Sequence, residues 1–422
     1  MTDSHKHISL SSRQEWMLLA VLASIQFTNL MDFVILMPLG PQLMRVFSIS
    51  PQEFGVIVSA YTFSAGIVGF VAALFVDRFD RKNVLLTVYG GFAMSNLLCA
   101  IAPSYGWLLF GRIVAGAFGG MMGATVFAVI GDVIPEIRRG AAMGTVMTSF
   151  SVATVAGVPV GLLLANSFGW HIPFFMLAIS SSIVLTIGYY VLPQIRGHLV
   201  HRTKESPVRM LFELLKNRNH LIGFAFISAV VLAGFAVIPY LSPYLVSNVG
   251  LPENDLPYVY LFGGGATIFT SRFFGRLADK YGKQKVFSWI AGGSVIPILL
   301  VTNLPRLPIW GTLAVTTFFM VLVSGRGIPA MALLTASVEP RQRGSFMSIN
   351  FSVQQISAGF ASFGGGLILG KSATGELTHF GIVGVIAFVT SFASILLSKK
   401  IRIVDRTSAG SISSQEASFE SV

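Results

Sequence analysis

Long apolar stretches alternate with short polar ones along the whole chain. Twelve of the apolar stretches fall at residues 16–39, 54–76, 84–102, 107–131, 140–166, 171–192, 220–249, 257–278, 286–303, 309–335, 345–370 and 378–398. A run of roughly 18–25 apolar residues makes a helix long enough to cross a hydrocarbon core about 30 Å thick. Each stretch is therefore predicted as a membrane-crossing helix. Pro and Gly inside several of them are compatible with this, because neighbouring helices re-satisfy the freed backbone groups. The connections are mostly short, and one longer polar segment separates the sixth and seventh spans. The first span contains an exception to its own pattern: in "TNLMDFVILMP" a single carboxylate, Asp32, lies in an oily run. A charge at the centre of a membrane helix costs about 2.5–3.5 kcal/mol on insertion scales.

Composition agrees with a membrane protein. Hydrophobic residues make up 53% of the chain and charged residues 11%, against about 25% charged in soluble domains. The single cysteine, Cys99, excludes an internal disulfide framework and a thiolate metal cluster. The polar start, MTDSHKHISLSSRQE, carries no cleavable signal pattern. No nucleotide-binding loop of the G-x-x-x-x-G-K-[ST] type occurs, which argues against ATP as the energy source.

The net charge of +11 raises the question of nucleic acid, and the placement of the bases answers it. With the N-terminus inside, 23 of the 29 lysines and arginines fall in the tails and loops of that side. The opposite side holds only Arg45, Arg306 and Lys371, while Arg112, Arg272 and Arg326 lie within spans. This asymmetry predicts cytoplasmic termini. It is spread over every inner loop rather than gathered on one face, so nucleic acid is not expected as a partner.

The chain also repeats itself. "ALFVDRFDRKNV" (73–84) and "GRLADKYGKQKV" (275–286) are in register at an offset of 202, which pairs Asp77 with Asp279, Arg78 with Lys280 and Arg81 with Lys283. Pro41 and Pro243 keep the same offset, and Arg139-Gly140 and Arg343-Gly344 stand 204 apart. Two six-span halves in parallel, joined by a basic loop, are one of the repeat architectures of secondary transporters.

These residues resemble the major facilitator superfamily over nearly the whole chain. "GRLADKYGKQK" is similar to that family's loop signature G-x-L-A-D-[RK]-x-G-[RK]-[RK], and the first copy departs from it at Ala73 and Asp80. The resemblance implies cytoplasmic latches built on Asp77, Arg78, Arg81, Asp279, Lys280 and Lys283, with Arg276 and Arg272, one turn further in, belonging to the second. "LLFGRIVAGAFGG" (108–120) resembles the L-x-x-x-R-x-x-x-G-x-x-G element, which implies an intramembrane arginine, Arg112, linked to proton coupling. "AGVPVG" (156–161) resembles the antiporter element G-P-x-x-G-G through Gly157, Pro159 and Gly161, with the proline one residue late and Leu162 in place of the second glycine. Read from the residues alone, it is a cue to close helix packing. The resemblance places the chain nearest the drug–proton antiporter branch, with the first, fourth, seventh and tenth helices around a central cavity.

Helix rise sets Asp32 roughly 24 Å from the inner boundary and Arg112 about 8 Å below the outer one, at comparable depths. In the family's arrangement the two are neighbours. Burial favours a neutral carboxyl and a nearby guanidinium favours a charged one, so the pair is expected to couple proton uptake and release to transport. The other reading, a structural ion pair that never titrates, stays open. Gln26 and Asn29 share the Asp32 helix face. Arg326 in the tenth span, Tyr240 and Tyr244 in the seventh, and Asn350 and Gln354 in the eleventh are the further cavity candidates, with bonding from helix to helix as the other reading of the tyrosines, Asn350 and Gln354. An isolated Arg326 would be costly, so either Asp32 or a substrate anion is expected to complete it. With Asp32 ionised, the cavity set of Asp32, Arg112 and Arg326 carries net charge +1, which suits neutral, amphipathic or anionic compounds.

The expected organisation is an all-α membrane protein of twelve transmembrane helices in two pseudo-symmetric six-helix bundles. It runs as a cytoplasmic tail (1–15), a first bundle (16–192), a basic linker with an amphipathic helix (193–219), a second bundle (220–399) and a disordered tail (400–422). The expected function is proton-coupled export of small molecules across the plasma (bacterial inner) membrane by a monomer. No enzyme activity, metal or cofactor beyond the proton is expected. Sugar or metabolite uptake by symport or facilitation, and a non-transporting membrane sensor, are the alternatives.

Overall fold

The structure is a computed structural model that describes residues 11–73, 78–195, 213–339 and 342–404. Asp77, most of the linker and the C-terminal tail lie outside the described residues. The first half contributes six spans. They are Ser12–Ile35, Pro51–Ala73, Arg81–Ala100, Tyr105–Val133, Glu136–Val152 continued by Val158–Phe168, and Ile172–Val191. The second half repeats the pattern with Arg218–Phe235 continued by Ile238–Tyr244, Leu256–Tyr281, Lys283–Thr302, Ile309–Gly325 continued by Gly327–Ala336, Arg343–Ile368 and Phe380–Ser398. The two-bundle fold of twelve spans is therefore the observed one.

Local chemistry explains where several spans begin. Ser11 forms a capping box with Gln14, and Ser104, Asn217 and Asp80 accept hydrogen bonds from the first turns of their helices. Such caps satisfy donors that have no partner inside the helix. The two copies of the basic loop differ at one position. Gly282 ends the eighth span with φ 95°, a conformation that favours glycine, whereas its repeat partner Asp80 has φ −59° and caps the third span instead.

Among the described residues, ten helices are apolar enough to cross a membrane by length and hydropathy alone. The eighth and eleventh are not among them, although each is a single 26-residue helix. Both carry a polar face, and that face is turned to the interior of the molecule: Thr267 and Ser271 of the eighth, and Gln354 and Gln355 of the eleventh, line its central cavity.

The halves meet along two seams, the second span against the eleventh and the fifth against the eighth. Glycines make the first seam close. A Cβ on Gly66 would lie 2.7 Å from Ile356 Cγ1, and one on Gly359 would lie 2.8 Å from Phe63. Small residues allow this approach where lipid supplies no hydrophobic drive between helices.

The two ends of the molecule pack differently. On the face away from the basic loops, one continuous core takes in Met37, Leu39, Phe54 and Phe174 of the first half with Tyr240, Leu241, Leu245 and Phe380 of the second. On the face with the basic loops the core divides into one cluster from the first half and two from the second. Polar bridges reinforce the far face: Arg45 pairs with Glu253, Gln52 donates to the Leu369 carbonyl, and Asn166 donates to the Glu253 carbonyl over 3.0 Å. The molecule is sealed on the far face and parted on the basic face.

Candidate functional site

Between the bundles lies a cavity of about 740 Å³. Its walls are mainly apolar, with Phe33, Phe150, Phe235, Phe319 and Phe351 among them. Four residues expected there do line it, namely Gln26, Asn29, Arg326 and Gln354.

Three others do not. Ile238 and Leu241 face the cavity from the seventh span, whereas Tyr240 and Tyr244 are not among its lining residues. Tyr240 donates to the Ser362 carbonyl and packs edge-on against Phe54, at a ring separation of 6.2 Å. Tyr244 donates to the Leu304 carbonyl over 3.1 Å. Both belong to the far-face seal. Asn350 is buried against Met331 Sδ at 3.9 Å, one turn from the cavity-lining Gln354.

Asp32 and Arg112 meet directly. Arg112 Nη1 donates to Asp32 Oδ1 over 2.6 Å, and both side chains have no exposed surface. The pair does not open onto the cavity, because Tyr61 closes it off. The Tyr61 ring lies 4.5 Å from the Arg112 guanidinium carbon, and its hydroxyl donates to Asn29 Oδ1 over 3.3 Å. Phe33 stacks on the same ring at 5.5 Å. Tyr61 and Asn29 line the cavity, and Asp32 and Arg112 sit behind them. Among the described residues, Asp32 Oδ2 and Arg112 Nε have no hydrogen-bond partner. A buried ion pair with spare polar atoms is only partly compensated.

Sequence reasoning passed over Tyr61. The available signal was a lone tyrosine at mid-depth of the second span, opposite the glycines of "AGAFGG". A Cβ at Gly119 would sit 2.9 Å from Asn29 Oδ1, so that glycine leaves room for the Tyr61–Asn29 contact.

Pro159 is buried with Gly157 and Gly161, the three residues of "AGVPVG" singled out above, and the two glycines receive the first span. A Cβ on Gly157 would meet Met31 Sδ at 2.8 Å, and one on Gly161 would meet Met31 Cε at 2.7 Å. A π-helical turn, Ala153–Gly157, leads into this contact. The motif thus holds the fifth span against the residue next to Asp32.

On the basic face, Arg81 Nε donates to Asp132 Oδ2 over 3.1 Å, tying the second loop to the end of the fourth span. Asp132 was not anticipated; its signal was an acidic residue at the inner end of a span. Arg78 lies in the same described loop. In the second half Arg272, Arg276, Asp279 and Lys280 are exposed and Lys283 half-buried, and none forms an ion pair among the described residues. Lys280 instead lies 5.2 Å from the Tyr281 ring. The structure therefore gathers an ion pair at the first loop and none at the second.

The sequence matches the Major Facilitator Superfamily over residues 22–272 and again over 230–419. The chain belongs to that superfamily. Two similar proteins come from Bacillus subtilis (strain 168). The uncharacterized MFS-type transporter YceJ is 28% identical over 88% of this chain and 92% of its own length. The uncharacterized MFS-type transporter YbcL is 27% identical over 75% and 79%. Among solved structures, a D-xylose-proton symporter aligns with a TM-score of 0.74 at 17% identity, covering 91% of this chain and 97% of that one. The nucleoside transporter NupG aligns at 0.69 and 13%, over 92% and 99%. Identities this low speak to the fold alone. As a superfamily member the chain is a multi-pass membrane protein of a secondary-transporter family.

Proposed function

We propose that this superfamily member is a proton-coupled exporter of small molecules working by alternating access. The observation that carries the reading is the Asp32–Arg112 pair, buried one side chain away from a cavity that is closed on the far face. A carboxyl that can take a proton, a guanidinium that competes with that proton, and a removable wall between them and the cavity are the parts a coupled carrier needs. Taking the basic face as cytoplasmic, the structure is the state that loads substrate from inside. Export then requires Asp32 to gain its proton from the outside and release it inward as substrate enters.

Reconstituted protein tested with a compound panel under an imposed pH gradient, beside Asp32→Asn, decides this. The expected result is substrate-triggered proton counterflow that Asp32→Asn abolishes while substrate binding persists. Counterflow equal to the parent's would make Asp32 a structural charge and overturn the mechanism. Uptake with protons moving in the same direction would support the symporter reading, for which the departures in "AGVPVG" leave room. Flux without protons in either protein would mean a facilitator.

A further inference from the structure

The second half carries its own buried arginine, in a different setting. Arg326 stands at the break between Ile309–Gly325 and Gly327–Ala336 in the tenth span. Its side chain is 1% exposed. Its guanidinium donates to Ser391 Oγ at 3.0 Å, to the Val230 carbonyl at 3.1 Å and to Ser294 Oγ at 3.5 Å, and Nε has no partner among the described residues. All three acceptors are neutral. Asp32, one of the two completions expected for this arginine, is committed to Arg112 in the other bundle. Among the described residues no carboxylate lies within ion-pair distance of Arg326.

Arg326 stands 214 residues from Arg112 and so is not its repeat counterpart, but the position facing Arg326 is the repeat counterpart of Asp32. At the offset of 202 that aligns the halves, Asp32 corresponds to Gly234. A Cβ on Gly234 would lie 3.3 Å from Arg326 Nη2. The position that holds a carboxylate in the first half is thus backbone and space in the second. That space belongs to the cavity, because Val230, Gly234 and Arg326 all line it. A desolvated cation with neutral partners and a spare donor lacks an anion.

We propose that the transported molecule supplies it, as an organic monoanion whose carboxylate or sulfonate docks on Arg326 over Gly234. Its apolar body lies on Phe235, Phe319, Met320 and Phe351, which line the same cavity. A volume of about 740 Å³ is that of a drug-sized ligand site. This names the substrate class for the export reading and rests on it. The net-neutral Asp32–Arg112 pair leaves Arg326 as the unbalanced charge facing the ligand.

The test compares binding of radiolabelled 1-naphthaleneacetate and its uncharged amide to full-length protein in nanodiscs at pH 7, in gluconate and in chloride. The expected result is at least about tenfold tighter binding of the carboxylate, reduced to parity by Arg326→Gln. Gly234→Asp is the second variant: it keeps the guanidinium and adds an internal counterion, and it too should bring the ratio to about one. Parity in the parent, or full carboxylate preference in Gly234→Asp, would overturn the proposal, even if Arg326→Gln fails to fold. Loss of the preference on replacing gluconate by chloride at equal ionic strength would assign the site to a small inorganic anion and overturn the organic class. Proton counterflow, measured separately in liposomes, tests the export reading itself. Carboxylate preference without counterflow would leave the anion site standing and remove the exporter.

Discussion

Arg112 and Arg326 are equally buried, one in each half of a repeated fold, yet they solve the same electrostatic problem in opposite ways. Arg112 has a carboxylate at 2.6 Å and is shut away from the cavity by Tyr61. Arg326 has hydroxyls and a carbonyl, no carboxylate, and a place on the cavity wall. The two are not repeat counterparts, since Arg112 falls on Ala314 at the offset of 202; the first half holds an internal ion pair, and the second a cation with no carboxylate beside it among the described residues. The difference teaches how two similar halves can divide the work of coupling and recognition.

The largest effect should come from breaking the pair. Arg112→Met leaves Asp32 buried with no counterion, and removal of one partner of a buried pair costs about 3–5 kcal/mol. Thermal unfolding in detergent should show this as a large drop in midpoint. Arg326→Met breaks no ion pair; it removes a desolvated charge but leaves buried acceptors unpaired, so a smaller loss of about 1–3 kcal/mol is expected. Equal losses in the two variants would mean that the hydroxyl cage around Arg326 is worth as much as a carboxylate, and the contrast would collapse.

Next in size is the wall. Tyr61→Ala removes a cation–π contact worth about 1–2 kcal/mol at a desolvated site and joins the pair to the cavity. Liposomes carrying it should leak protons without substrate, whereas Tyr61→Phe should stay tight and lose about 1 kcal/mol or less with the Asn29 hydrogen bond. A tight Tyr61→Ala would show that Tyr61 does not isolate the pair.

The smallest effect on stability belongs to the far-face bridge. The Arg45 side chain is 63% exposed, and exposed ion pairs contribute about 0–1 kcal/mol. Arg45→Ala should barely alter unfolding, yet it should raise the population open to the far face, read as labelling of a cysteine placed at Ala361 in the seal. Unchanged labelling would mean that apolar packing alone holds the face shut.

Much of the fold could be read from the sequence because its determinants are local and repeated. Apolar runs fix the spans, and the offset of 202 fixes the relation of the halves. Depth along a helix was equally legible, since it follows from residue count, and it set Asp32 level with Arg112; that the two are neighbours was what the family resemblance implied. Rotation about each helix axis was harder to read. Tyr240 and Tyr244 share a face, but Ile238 and Leu241 are the ones that line the cavity, past a break at Ala236-Val237 that shifts the helix. Tyr61 and Asp132 act through partners 32 to 51 residues away, and no spacing rule in a single sequence links such pairs. For Arg326 the sequence left two completions open, Asp32 or a substrate anion, and only the contact of Asp32 with Arg112 removes the first.

The seal on the far face has a thermal consequence. Its substance is apolar side chains of both halves packed into one core. Opening that core hydrates apolar surface, which raises heat capacity. A carrier that must undo such a core once per cycle runs on a temperature-curved barrier. Its turnover, plotted against reciprocal temperature, should follow an arc rather than a straight line, with the curvature set by the area of the seal.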